Sequence, residues 1–72
     1  MNEKRKRFIN RFSENLYRLM NERKVSRESL AEKLDVSTRT IYFWQSDMRH
    51  PNYDQLIKIA NILSVSIDGL LK

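Results

Sequence analysis

Seventy-two residues make one small domain, and a chain of that size buries only about 60% of the surface its unfolded form exposes, so nearly every apolar residue is needed in the core. With no cysteine and the single histidine His50, the sequence offers neither a disulfide nor a set of metal ligands, and no cofactor is expected. No apolar run approaches the roughly 20 residues that span a bilayer, and the formal net charge of +5 calls for an acidic partner.

That charge is concentrated at the start. Residues 1–11 carry Lys4, Arg5, Lys6, Arg7 and Arg11 against Glu3 alone, while the rest of the chain is nearly balanced. A basic arm beside a helix draws a molecule toward phosphates by long-range attraction and counterion release; the plainer reading is a solubilising tail. MNEKRKRFINRF lacks the apolar segment and cleavage site of a signal peptide, so a cytoplasmic location is expected. The expected organisation is a basic extension over residues 1–11, partly continuous with the first helix, followed by a folded domain over residues 12–72.

Apolar spacing is helical nearly throughout, no strand-like alternation is sustained, and no internal repeat is evident. Phe12, Leu16, Leu19 and Met20 form one buried stripe. Phe8 extends it, so the first helix is expected from near Arg5 to Arg23–Lys24. Ser26 is an N-cap, with Glu28 favoured by the helix dipole, and Leu30, Ala31 and Leu34 are the buried stripe of a short second helix. Asp35 and Val36 make a tight turn, and Ser37 caps a third helix whose inward residues are Ile41 and Trp44. A polar loop from Ser46 to Asn52 contains Pro51. Asn52 with Gln55 matches a capping box before a fourth helix carrying Leu56, Ile59, Ala60 and Leu63. Ser66 caps a last helix with Ile67, Leu70 and Leu71. The expected fold is all-α, with five helices.

The segment from Ser26 to Asp47 carries the functional signal. Two short capped helices separated by three or four residues have the spacing of a helix-turn-helix, in which the second helix lays its N-terminal half in the DNA major groove. At roughly 100° per residue, Ile41 and Trp44 lie about 60° apart and define the inward direction. Arg39, Tyr42, Phe43 and Ser46 then face outward, with Thr38 and Thr40 on the flanks. Because Tyr42, Phe43 and Trp44 are consecutive, at least one large aromatic must be displayed.

The base-reading candidates are Thr38, Arg39, Tyr42 and Phe43. Arg39 can donate two hydrogen bonds to guanine O6 and N7, and Thr38 can touch a thymine methyl or a phosphate. Phe43, with no polar atom, has only a thymine methyl or a sugar edge as a groove partner, and the Tyr42 hydroxyl can reach a phosphate. Candidates for phosphate contacts are Arg27 at the start of the second helix, Ser37, and Ser46, Arg49, His50 and Asn52 beyond the third; such contacts set register and carry no sequence information. The competing readings are a solvated Arg39, a core-edge Phe43 and a solvated loop His50.

One string extends the pattern: SRESLAEKLDVSTRTIYFWQSDMRHPNYDQLIKIANILSVSIDGLL. Its most specific parts are Ser26-x-x-x-Leu30-Ala31-x-x-Leu34-x-Val36-Ser37, then Thr40-Ile41, Pro51 before Leu56-Ile57-Lys58-Ile59-Ala60, and Val65-Ser66-Ile67-Asp68 followed by Leu70-Leu71. From Phe12 to Leu71 the chain thereby resembles the lambda-repressor-like, Cro-type helix-turn-helix proteins, the XRE family. The resemblance implies a five-helix domain, an operator DNA partner and transcriptional control, most simply as a repressor. It points to Arg27 for phosphate and to Thr38, Arg39 and Phe43 for bases. The departures are Arg27 where the family usually has glutamine, Asp35 where it favours glycine, and Met20 and Gln45 where relatives often carry an arginine–glutamate pair.

The principal alternative is a helix-turn-helix module that binds another protein, with Tyr42 and Phe43 as hot spots. A membrane-surface role for Lys4–Phe12 is a weaker one. An enzyme is not expected, for want of a nucleophile–base pair, a phosphate-cradling loop or room for a pocket, and no small-molecule substrate is expected either. A single reading helix contacts few base pairs, so a homodimer on two half-sites about 34–36 Å apart is expected. Ile62, Ile67 and Leu71 are the candidate patch, unless they complete the core.

Overall fold

The computed structural model describes the backbone of residues 3–72 and the side chains of residues 11–72. Five helices follow in order: α1 (Glu3–Arg23), α2 (Arg27–Leu34), α3 (Thr38–Gln45), α4 (Tyr53–Leu63) and α5 (Ile67–Leu71), and no strand occurs among the described residues. The expected all-α architecture is the one formed, with the helix-turn-helix at α2–α3. α1 starts at Glu3, two residues before the expected Arg5. The packing expected of Phe8, and most of the basic and apolar side chains of Lys4–Phe12, lie outside the described residues.

The helical stripes meet in one core. Phe12, Leu16, Leu19 and Met20 of α1 are buried with Leu30, Ala31 and Leu34 of α2, Ile41 and Trp44 of α3, Ile59, Ala60 and Leu63 of α4, and Leu70 of α5. Helices as short as α2 and α3, eight residues each, are not stable alone because nucleation is costly. Tertiary burial and end-capping hold them.

The capping is a single device used three times. Lys24, Asp35 and Ser64 each leave a helix in the left-handed region, with φ of 58°, 59° and 59°. The next residue is valine each time, and its N–H donates back to the helix just left: Val25 to Met20 O (2.9 Å), Val36 to Ala31 O (3.0 Å) and Val65 to Ala60 O (2.9 Å). The three valines are half-buried against the core, as the apolar residue after such a helix end commonly is. A serine follows each valine, and its Oγ accepts from an N–H in the first turn of the next helix: Ser26 from Ser29, Ser37 from Thr40 and Ser66 from Gly69. One helix is closed and the next opened in three residues. The serines are legible in the sequence as caps, whereas the recurring Val-Ser unit is too short to register as a repeat.

Left-handed backbone costs an L-residue roughly 1–2 kcal/mol, least for Asp and Asn and nothing for glycine. Asp35 is exposed, so Asp35→Gly is expected to stabilise the domain by about 0.5–1 kcal/mol, read as a rise of a few degrees in the thermal melting midpoint. A fall in the midpoint would show that the aspartate side chain supports the turn.

α1 supplies what the other helix ends lack. The last carbonyls of a helix have no partner inside it, and side chains of α1 donate to one in each of the three others whose ends it reaches. Ser13 Oγ donates to Trp44 O in α3 (2.8 Å), Arg23 Nε to Leu63 O in α4 (2.7 Å), and Asn15 Nδ2 to Leu70 O in α5 (2.9 Å). Ser13 is itself buried. Among the described residues no buried side-chain nitrogen or oxygen lacks a partner.

Candidate nucleic-acid interface

α3 is held by its inward side and displays the other. Ile41 and Trp44 are 0% and 2% exposed, whereas Thr38, Arg39 and Ser46 are exposed and Tyr42 retains 48% of its surface. Phe43 is half-buried and its ring is tilted against that of Tyr42, with centroids 6.1 Å apart. The face expected to point outward is thus open, and Phe43 lies at its covered edge.

Three guanidinium groups gather on these two rings. The carbon of the Arg27 group lies 5.4 Å from the Tyr42 centroid, and those of Arg39 and Arg49 lie 5.5 and 5.8 Å from the Phe43 centroid. Each is in range for attraction between a cation and the negative face of a ring, about 0.5–1 kcal/mol at an exposed site. None of the three arginines forms an ion pair with a carboxylate among the described residues. The face therefore presents positive charge set against aromatic rings, without a carboxylate partner among the described residues.

Local structure explains how each arginine arrives. Arg39 reaches Phe43 because residues four apart share a helix face. Arg49 arrives by a turn: Asp47 adopts φ of 63° after α3, and the N–H groups of Met48 and Arg49 both point back at Phe43 O (2.9 and 3.4 Å). Arg27 is the first residue of α2, and its Nε donates to Gln45 Oε1 at 2.6 Å. Gln45 Nε2 in turn lies 3.3 Å from Met20 Sδ. Met20 and Gln45, the two positions that differ from the family's arginine–glutamate pair, still touch, and Gln45 now positions Arg27. No local pattern assigns Gln45 this role, since its partners lie on other helices.

Several candidates for phosphate contacts already have internal partners. Ser37 Oγ accepts from Thr40 N–H and lies 3.0 Å from Thr40 Oγ1. Asn52 Oδ1 accepts from Gln55 N–H at 2.8 Å, and Gln55 Oε1 accepts from Asn52 N–H at 2.9 Å, completing the expected capping box. His50 Nε2 lies 2.8 Å from Asp47 Oδ1. Ser46 ends α3 and is exposed. Ile62, Ile67 and Leu71 are half-buried and pack against the core, each keeping part of its surface outside.

Ser13, Glu14, Tyr17, Gln45, Ser46 and Asp47 line an open cleft beside the end of α3, a concavity where the sequence predicts no room for a pocket. No helix among the described residues is long and apolar enough to cross a membrane.

Residues 16–70 match the family model described as Helix-turn-helix, which is most of the chain. The chain belongs to the helix-turn-helix family. Its five helices and the placing of the motif at α2–α3 fit the lambda-repressor-like fold. Among the curated helix-turn-helix relatives, an uncharacterized HTH-type transcriptional regulator of Bacillus subtilis, YqaE, is 39% identical over 61 residues, covering 85% of this chain and 53% of that protein. The HTH-type transcriptional activator BcrR of Enterococcus faecalis is 40% identical over 60 residues, covering 83% of this chain and 29% of that protein. The chain thus spans about half of one relative and under a third of the other. No solved structure matches it.

Proposed function

We propose that this helix-turn-helix domain binds double-stranded operator DNA and regulates transcription, with α3 in the major groove. One observation carries the reading: Arg27, Arg39 and Arg49 gather on an exposed aromatic face of the second helix of the motif, with no carboxylate partner among the described residues. Cations without carboxylate partners, set on rings beside an exposed helix, suit a polyanion with a groove. Arg39, Thr38, Tyr42 and Phe43 face bases, and Arg27, Arg49 and Ser46 face phosphates on either side. Ser37 and Asn52 are proposed as phosphate contacts through the donors their internal bonds leave over, and His50 by turning its Nε2–H from Asp47 to the phosphate. The basic residues 1–11 extend the attraction to phosphate, and the domain proper begins at Phe12.

Two copies are proposed to occupy two half-sites, with the outer parts of Ile62, Ile67 and Leu71 as the surface between them. Repression by occupancy of the operator is the simplest outcome in the cytoplasm, on the nucleoid. One relative is named an activator, and a reporter gene under the operator reads the sign.

Selection from a random duplex pool, followed by titration of the selected site against salt, tests the proposal. The logarithm of affinity is expected to fall with the logarithm of salt at about 0.9 per phosphate neutralised. Affinity indifferent to salt, or no enriched sequence, would favour a protein partner for the same face.

A further inference from the structure

We infer that Arg39 and Phe43 read DNA as one unit, a guanine next to a base bearing a 5-methyl group, and that the ring recognises the methyl and not the base that carries it. The inference rests on the proposed entry of α3 into the major groove. Arg39 and Phe43 are one helical turn apart on the same side of α3, with the guanidinium carbon 5.5 Å from the ring centroid. Stacked base pairs are about 3.4 Å apart, so two groups 5.5 Å apart, between one and two steps, can reach adjoining pairs. Guanine offers O6 and N7 to the fork of a guanidinium, and the 5-methyl of thymine is the apolar feature of the groove. Phe43 has no atom that can bond a base edge, so the methyl is what it can bury.

Two observations make the ring a fixed surface. It is half-buried, and it is flanked by a second guanidinium, that of Arg49, at 5.8 Å and by the Tyr42 ring at 6.1 Å. The ring is therefore set before DNA arrives, with little side-chain freedom of its own left to lose.

Chemistry then separates this reader from one that uses hydrogen bonds. Thymine presents an acceptor at O4 where cytosine presents a donor at N4, and a polar side chain distinguishes them. An apolar ring does not. It responds to the methyl at C5, which thymine and 5-methylcytosine share and which uracil and cytosine lack. At the position facing Phe43, thymine and 5-methylcytosine are equivalent, and uracil and cytosine are equally poor. Methylation of a cytosine beside the guanine converts a weak site into a strong one.

The test uses the full chain and the duplex selected from the random pool. At the thymine adjoining the guanine whose preference depends on Arg39, four duplexes are compared, carrying thymine, uracil, cytosine or 5-methylcytosine with the matching partner base. Loss of the methyl is expected to weaken binding about fourfold per half-site, the transfer value of one buried methyl group, and 5-methylcytosine is expected to restore it. Phe43→Leu keeps this pattern, and Phe43→Ala makes the four duplexes equivalent. Should Phe43→Ala fail to fold by circular dichroism, the four duplexes with the unaltered protein decide alone. Equal binding of the thymine and uracil duplexes overturns the inference. So does a split of thymine and uracil from both cytosine forms, or a selected site with no thymine beside that guanine. A protein that selects no duplex at all overturns the underlying DNA reading instead.

Discussion

Trp44→Ala is expected to lower the thermal midpoint by about 15–30 °C. Trp44 is 2% exposed and sits on α3 directly opposite its displayed face. Truncating a large buried aromatic removes its transfer free energy and leaves a cavity, together about 3–5 kcal/mol. A domain of this length has a net stability of only about 4–11 kcal/mol, and each kcal/mol moves its midpoint by about 4–8 °C. The main-chain bond from Ser13 Oγ to Trp44 O (2.8 Å) survives the substitution in principle, but one hydrogen bond is worth only about 1 kcal/mol net. Tyr42→Ala, two residues earlier and 48% exposed, supplies the contrast and should cost only about 1 kcal/mol, mostly from its contact with Arg27. Circular dichroism melts of the pair measure the difference. Comparable losses for both would mean that α3 is turned about its axis from the position described.

Arg39→Ala is expected to abolish preference for one base pair of the selected site, a loss of about 5- to 150-fold in discrimination, from the 1–3 kcal/mol of a bidentate contact. Binding to unrelated duplexes should change far less, because the phosphate contacts remain. Arg39→Lys does not rescue the preference: an ammonium keeps the charge but lacks the planar fork and the stacking on Phe43. Arg27→Ala and Arg49→Ala should behave in the opposite sense, weakening all duplexes alike and reducing the salt slope by about one each. Gel-shift titrations on matched and singly mismatched duplexes separate the two classes. Unchanged sequence preference in Arg39→Ala would remove that residue from base reading and leave the role of α3 to Thr38, Tyr42 and Phe43.

The helices were legible because their cause is local. Ser26, Ser37, Asn52 and Ser66 could be recognised as caps from the sequence, since an N-cap acts only on amides two or three residues away. The buried stripes were legible for a similar reason: periodicity places Leu16, Leu30, Ile41, Ile59 and Leu63 on one side of each helix whatever that side meets. Asp35 was legible as a turn residue. The same event at Lys24 and Ser64 was not, because neither residue type signals the left-handed region. It is the half-buried valine that follows each of them that closes the helix, and its burial depends on the neighbouring helices.

By itself, then, the sequence determined five helices, their inward faces and the outward direction of Arg39 and Tyr42, since periodicity and capping act within a few residues. Only the tertiary structure decided which groups stand together on that outward face. Arg27 comes to Tyr42 through Gln45 from another helix, and Arg49 returns to Phe43 through the left-handed turn at Asp47. Ser13, Asn15 and Arg23 of α1 meet helix ends up to 55 residues away. Contacts between residues far apart in the chain depend on how the packed helices are mutually oriented, and no local pattern carries that information.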